Sequence, residues 1–444
     1  MGKVDMSGIV SRVVAALVAA SVLPGYAANL GTDTGWAVNV GGPAYTASDG
    51  TSYVAETSVE GGTVGRIEAI KGSQDPLLYQ TYRVGDIRIE HPVANGTYDI
   101  TFHFSEPETI ERDERVFDAF VEGNRVIDDL DVMLFRDGKV RSALTVTVPD
   151  VDVSDGTLDV HFEASDMQPV LSALQIRKKI GRDESWELVW QDDFDGPELD
   201  TANWSHRVWP PRKVNDEDQA YTARAKNVRV EDGHLVIEAH REDYQGAAYT
   251  SGRIHSSGKA DFLYGRFEVR AKLPSGQGTW PAIWMLPSDP MVYATTCSND
   301  ADWQGSDDCD AWPNSGEIDI MEHVGYQMNH IHGTVHTRAY YWRMWEQRKG
   351  RILIDDAADA FHVYALEWSP ERIDAFVDDS LYFTYVNERK SWREWPFDQP
   401  FHLILNIAVG GAWGRAGGPI DDTIFPQRML IDYARVYRSA AAPD

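Results

Sequence analysis

The run Gly316-Glu317-Ile318-Asp319-Ile320-Met321-Glu322-His323 constrains this chain more than any other stretch. It must sort three acids and three large apolar residues onto two faces. On a plain strand side chains alternate. Glu317 and Asp319 then share one face, Ile318 and Ile320 the other, and Glu322 falls among the apolar residues. One extra residue near Ile320–Met321, a β-bulge, shifts the later register by one and brings all three acids together. Three like charges on one face repel, so at least one of them holds its proton near neutral pH. A proton donor beside a second carboxyl is what cleavage of a glycosidic bond requires. Taken alone, the hexapeptide reads equally well as a strand with solvated acids on its outer face.

A chain of 444 residues has room for two domains. With 36 Gly, 21 Pro and little helical periodicity, it reads as β-rich with many turns. A formal charge of −29 opposes nucleic acid, anionic membranes and heavily sulfated polymers, and suits a neutral substrate. Fifteen Trp provide flat rings of the kind that stack on sugars. Near the N-terminus, Lys3 and Arg12 precede an apolar run, Val13–Leu23, and small residues around Gly25-Tyr26-Ala27. This pattern predicts a signal peptide over 1–27, cut near Ala27 or Ala28. The run is too short to span a bilayer. The expected product is a secreted, periplasmic or cell-surface monomer with no membrane attachment after cleavage. Cys297 and Cys309 are the only cysteines, and in an exported chain they are expected to pair.

Short alternating runs at Tyr98–Phe104, Arg115–Phe120, Ala143–Val148 and Thr157–Phe162, with turns at Asn95-Gly96 and Asp155-Gly156, predict an accessory β-domain over 29–180. A polar linker of only 181–185 predicts that its neighbour sits close. Trp36–Tyr45, Leu78–Tyr82, Gly96–Phe104 and Arg115–Asp118 resemble the malectin family, over roughly 34–178. The resemblance implies a β-sandwich; some such domains bind glucose oligosaccharides through loop aromatics and an acid. Tyr79 or Tyr82, and Asp166, are the candidates here. The chain departs from the pattern at Ser105–Asp113, a charged loop where the family often places a Tyr-Phe pair. A spacer or docking role is therefore an equal reading. His103, on the face opposite Tyr98, Ile100, Phe102 and Phe104, is expected to be a half-exposed strand histidine.

The second domain, 186–438, opens with a strand from Trp186 and continues in many short strands that predict two packed antiparallel sheets. Trp280 and Trp284 lie an even offset apart and share a face, either as core or as a stacking platform. His336 either hydrogen-bonds an acid or is a satisfied buried histidine. Glu317–Glu322, Trp280–Pro287, Gly333–Thr337, Phe397–Gly411 and Asp432–Tyr437 together resemble glycoside hydrolase family 16, and within it the bacterial laminarinases, which are endo-β-1,3-glucanases.

That resemblance implies an all-β chain: a malectin-like sandwich followed by a β-jelly-roll, concanavalin-like catalytic sandwich. It implies retention of configuration, with Glu317 as nucleophile, Glu322 as acid/base, and Asp319 tuning both. Asn215, Glu217, Arg253, Trp280, Trp284, His336, Asn406 and Trp413 fall where substrate contacts are expected. Asp193, Gly233 and Asp432 match the places of a structural Ca²⁺ site, whose hard oxygen ligands they would supply; the chemistry itself needs no cofactor. The implied partner is a β-glucan. Alternatives are mixed β-1,3-1,4-glucan, agarose or carrageenan, a transglycosylase using the same residues, and a β-glucan-binding lectin, although such lectins lack the acid pair. Ser288–Trp312 and Arg338–Lys349 have no counterpart and are expected to wall or extend the groove.

Overall fold

Two apolar faces per sandwich, set by period-two strands, organise the molecule. The structure is a computed structural model that describes residues 35–440 apart from 57, 165–166, 180–185, 299–301 and 305–307. The predicted signal peptide, the linker 181–185 and Asp166 lie outside the described residues.

In the first sandwich, strands Gly96–Phe104, Leu144–Val153, Ala173–Lys178 and Trp36–Asn39 face a five-stranded sheet that includes Val116–Val121, Asn124–Asp131 and Thr157–Ala164. Ile100, Phe102, Phe104, Val146 and Leu174 from one sheet meet Phe117, Ala119, Leu158 and Val160 from the other. His103 does point away from this core, but it is buried, not half-exposed. Tyr53 and Tyr79 cover it, with hydroxyls 3.1 Å from Nε2 and 2.9 Å from Nδ1. Sequence alternation places a side chain on a face and says nothing of what a distant loop lays over that face. Tyr79 is consumed by this network and by Thr145 at 2.9 Å, which removes it as a sugar-facing aromatic. The charged loop after Phe104 is held by a buried ion pair, Glu106–Arg115 at 2.8 Å.

In the second sandwich, an inner sheet carries the strands Arg253–His255, Phe401–Val409, Thr279–Pro287, Glu317–Glu322, His330–His336 and Arg348–Leu353 in spatial order. It packs on an outer sheet containing Gln427–Ser439, Gly265–Lys272, His362–Trp368, Arg372–Val377 and Ser380–Val386. Ile283, Met285, Ile318, Ile320, Met321, Ile331 and Val335 meet Phe267, Val269, Leu366, Ile373 and Ile431 in the core between them. Arg348–Leu353 falls partly within the segment expected to be a loop. It pairs with His330–His336 from Val335↔Arg348 to His330↔Leu353. Its other edge meets Leu144–Val153 of the first sandwich in parallel, at Thr147↔Ile352. One sheet therefore runs through both sandwiches. Arg351 Nη2 donates to the Phe135 carbonyl across this seam at 2.7 Å, and Ser380 Oγ donates to Asp99 at 3.1 Å. Cys297 and Cys309 form a disulfide.

Candidate active site

The acid strand is bulged where its composition requires. Asp319 faces Trp284 and Met321 faces Ile283, so Ile320 has no partner of its own on the neighbouring strand. On the other side Asp319 and Glu322, three residues apart, oppose Thr334 and His332, two apart. The bulge lets Ile318, Ile320 and Met321 all enter the core while the three acids share the opposite face.

Cross-strand register then assembles the rest, because directly opposed residues project to the same side of a sheet. His336 opposes Glu317, Thr334 opposes Asp319, and His332 opposes Glu322. One strand further, Lys349 opposes Thr334 and Arg351 opposes His332. His336 Nε2 lies 3.7 Å from Glu317 Oε1 and 3.5 Å from Asp319 Oδ2. Trp312 Nε1 donates to Glu317 Oε2 at 3.0 Å, and Trp280 Nε1 donates to Glu322 Oε1 at 3.1 Å. Trp413 meets Trp280 edge-on at 5.4 Å and His332 at 5.1 Å, with the Lys349 ammonium 4.0 Å over its ring.

Burial sets the charges here. It raises Glu317, helped by the charge of Glu322 and opposed by the Trp312 N–H and Arg253. It raises Asp319 well above the usual carboxylate range, helped by both glutamates. Glu322 is raised by burial, with Lys349 and the Trp280 N–H pulling it back. Asp319 Oδ2 has no hydrogen-bond partner among the described residues, so Asp319 is the acid that gains most from keeping its proton. His336 is pushed down to about 3 by burial, then by Lys349, and is neutral. Burial likewise lowers Lys349, in part offset by Glu322.

A second cluster adjoins the first. Arg253 lies between the rings of Trp209 and Trp284, with its guanidinium carbon 4.7 Å from each ring centroid. Trp284 Nε1 donates to Asn406 Oδ1 at 2.8 Å, and Asn406 Nδ2 donates to the Tyr221 hydroxyl at 3.3 Å. Glu217 accepts from Asn215 Nδ2 at 3.3 Å and from Gln219 Nε2 at 2.7 Å. All eight residues expected at the substrate thus fall into two touching groups: His336, Trp280 and Trp413 around the acids, and Asn215, Glu217, Arg253, Trp284 and Asn406 beside them. Sequence reasoning missed Lys349, Trp312, Trp209, Tyr221 and His332. The register of the strand Arg348–Leu353 would have revealed Lys349, but only once that strand was recognised. Arg253 Nε, Thr334 Oγ1 and both His332 nitrogens are buried without hydrogen-bond partners among the described residues.

The three expected calcium ligands come to one corner of the outer sheet. Trp186–Asp192 and His234–Tyr244 pair with the same edge of the last strand and meet beside Asp432, as Asp192↔Ala434 and Leu235↔Ile431 show. Two carboxylates and the Gly233 carbonyl suit a hard cation in kind. Both carboxylates are engaged by arginines: Asp193 accepts from Arg435 Nη2 at 2.7 Å, and Asp432 from Arg270 Nη1 at 2.7 Å.

A β-sandwich whose open sheet face presents two glutamates on either side of an aspartate, with indole N–H groups donating to both glutamates, defines a glycoside hydrolase. Comparison with known proteins agrees. Residues 215–435 match Glycosyl hydrolases family 16, and residues 34–178 match the Malectin domain. The chain is 50% identical over 281 residues to a beta-glucanase of Rhodothermus marinus, covering 61% of this chain and 93% of the relative. A solved laminarinase structure from Rhodothermus marinus superposes with a TM-score of 0.51 at 51% identity, covering 57% of this chain and 97% of that one. A non-specific endo-β-1,3(4)-glucanase of the same family, crystallised as a mutant with a glucan oligosaccharide, gives a TM-score of 0.52 at 39% identity, covering 58% of this chain and 97% of that one. The chain belongs to glycoside hydrolase family 16.

Proposed function

We propose that this chain is a retaining endo-glycosidase that hydrolyses laminarin-like β-1,3-glucan by double displacement. Glu317 attacks the anomeric carbon while Glu322 protonates the departing glycosidic oxygen; Glu322 then takes a proton from the water that releases the glycosyl ester on Glu317. Asp319 stays protonated between them, limits their repulsion, and offers a hydrogen bond as charge moves. The observation that carries this reading is the bulge at Ile320, which sets Glu317 and Glu322 on one face with an indole N–H on each. The names of the similar β-glucanase and laminarinase support the choice of β-1,3-glucan. Glu317→Gln tests it: the amide keeps shape but cannot attack, so laminarin hydrolysis should be lost while binding persists. Retained hydrolysis would overturn the nucleophile assignment, and a wild type that binds laminarin without cleaving it would make the chain a lectin.

A second reading, cleavage of mixed β-1,3-1,4-glucan, is favoured by the relative described as non-specific. Product analysis on laminarin, lichenan, agarose and carrageenan side by side separates the substrates. Export with cleavage near Ala27–Ala28 accords with the disulfide; N-terminal sequencing of the mature protein checks it. Light scattering checks the monomeric state. A structural calcium at Asp193, Gly233 and Asp432 would require Arg435 and Arg270 to yield their carboxylates.

A further inference from the structure

The segment Arg338–Gln347, without a family counterpart in the sequence, carries the most exposed aromatic group beside the active site. Trp342, Met344 and Trp345 are 42%, 43% and 42% exposed, so three large apolar side chains within four residues are left to solvent. Such a cluster on a folded protein marks a binding surface. It is continuous with the acids. Tyr341 meets Trp312 edge-on at 5.7 Å, and the Arg343 guanidinium lies 5.9 Å from the Trp312 ring and 5.2 Å from the Trp342 ring. Trp312 in turn donates to Glu317.

The far side of the same segment is gripped by the first sandwich. The Lys139 ammonium sits 3.2 Å over the Trp345 ring. The Gly72 N–H donates to Glu346 Oε2 at 3.1 Å, and Lys71 pairs with Glu346 at 3.7 Å. Trp345 itself holds a left-handed backbone, φ 61°, a conformation that a bulky residue keeps only where its surroundings enforce it.

We propose that Trp342 and Trp345 form an additional binding platform for a neutral β-glucan chain that continues past the Glu317 side of the active site, and that the malectin-like sandwich holds this platform in place. The proposal rests on the glucanase reading above. Flat indoles offer apolar area with little conformational entropy to lose, which suits the C–H faces of glucose rings. A net charge of −29 disfavours a sulfated chain even though Arg343 and Lys139 lie nearby. The first sandwich thereby has a role that needs no sugar site of its own.

The test uses the full chain with Trp342→Ala, Trp342→Ala/Trp345→Ala and Lys139→Met. Steady-state kinetics are measured on laminarin and on a short β-1,3-linked oligosaccharide. The KM for laminarin should rise about three- to tenfold in the double variant with kcat nearly constant, the signature of lost uniform binding. The kcat/KM on the short substrate should stay within about twofold of the wild type, and Lys139→Met should shift the laminarin KM in the same direction by less. An unchanged laminarin KM, or an equal loss on both substrates, overturns the platform. Laminarin binding that collapses in about 0.5 M NaCl, where surface electrostatics are screened, overturns its assignment to a neutral chain. A wild type that cleaves neither substrate refutes the glucanase reading instead.

Discussion

Replacing Trp280 with Phe removes one hydrogen bond to the acid/base. The indole N–H lies 3.1 Å from Glu322 Oε1 in a site where both groups are largely withdrawn from water. Phe keeps one aromatic ring near Trp413 and removes the donor together with the second ring of the indole. A hydrogen bond to a charged group is worth roughly 1.5–3 kcal/mol, and about 1.4 kcal/mol corresponds to one pKa unit. Because the N–H favours the carboxylate, its loss should raise the pKa of the proton donor by about one to two units. Glu322 must be protonated to release the leaving group, so the alkaline limb of kcat/KM on laminarin should move to higher pH by that amount. The two glutamates titrate as a pair, so the limb reports the upper apparent pKa of the pair. The shape of the profile, not its height, is the readout, since Trp280 also faces the substrate. A limb that stays in place, or moves toward acid, would show that the N–H does not set the acidity of the donor.

Three other outcomes follow from the same contacts. Asp319→Asn should cut activity yet raise Tm at neutral pH. A carboxyl whose folded pKa is raised costs stability above its unfolded pKa of about 3.9, so the two Tm values should converge as pH falls toward about 4; a difference that does not vary with pH contradicts this. Removing 29–180 takes a neighbour from the strand bearing Lys349 and the Phe135 carbonyl from Arg351. Tm should fall, and kcat/KM should drop ~10-fold or more as site geometry loosens, measured by calorimetry and by assay on a short oligosaccharide. Chelation with EDTA should lower Tm without directly impairing chemistry, and an unchanged melt argues against calcium at Asp432.

The bulge in the acid motif was legible from the order of its residues because a strand offers only two faces. Three acids and three apolar residues in six positions admit one arrangement that buries the second set, and that arrangement needs a bulge. The same period-two logic placed Trp280 and Trp284 together and outlined both sandwiches. Family resemblance added Glu217, Arg253, Asn406 and Trp413, residues from distant strands that no local pattern connects. Other features were not legible. Arg348–Leu353 begins with three basic residues and a glycine, so it reads as loop until pairing on both edges makes it a strand. Lys349 therefore became a partner of the acids only through register with Thr334 and Asp319. His103 was misjudged because its cover, Tyr53 and Tyr79, comes from chain segments 50 and 24 residues away. The sequence by itself determined which residues share a face, since that depends on backbone periodicity. Which faces meet, and which buried charges answer one another across strands, was decided only by tertiary structure, since that depends on long-range pairing.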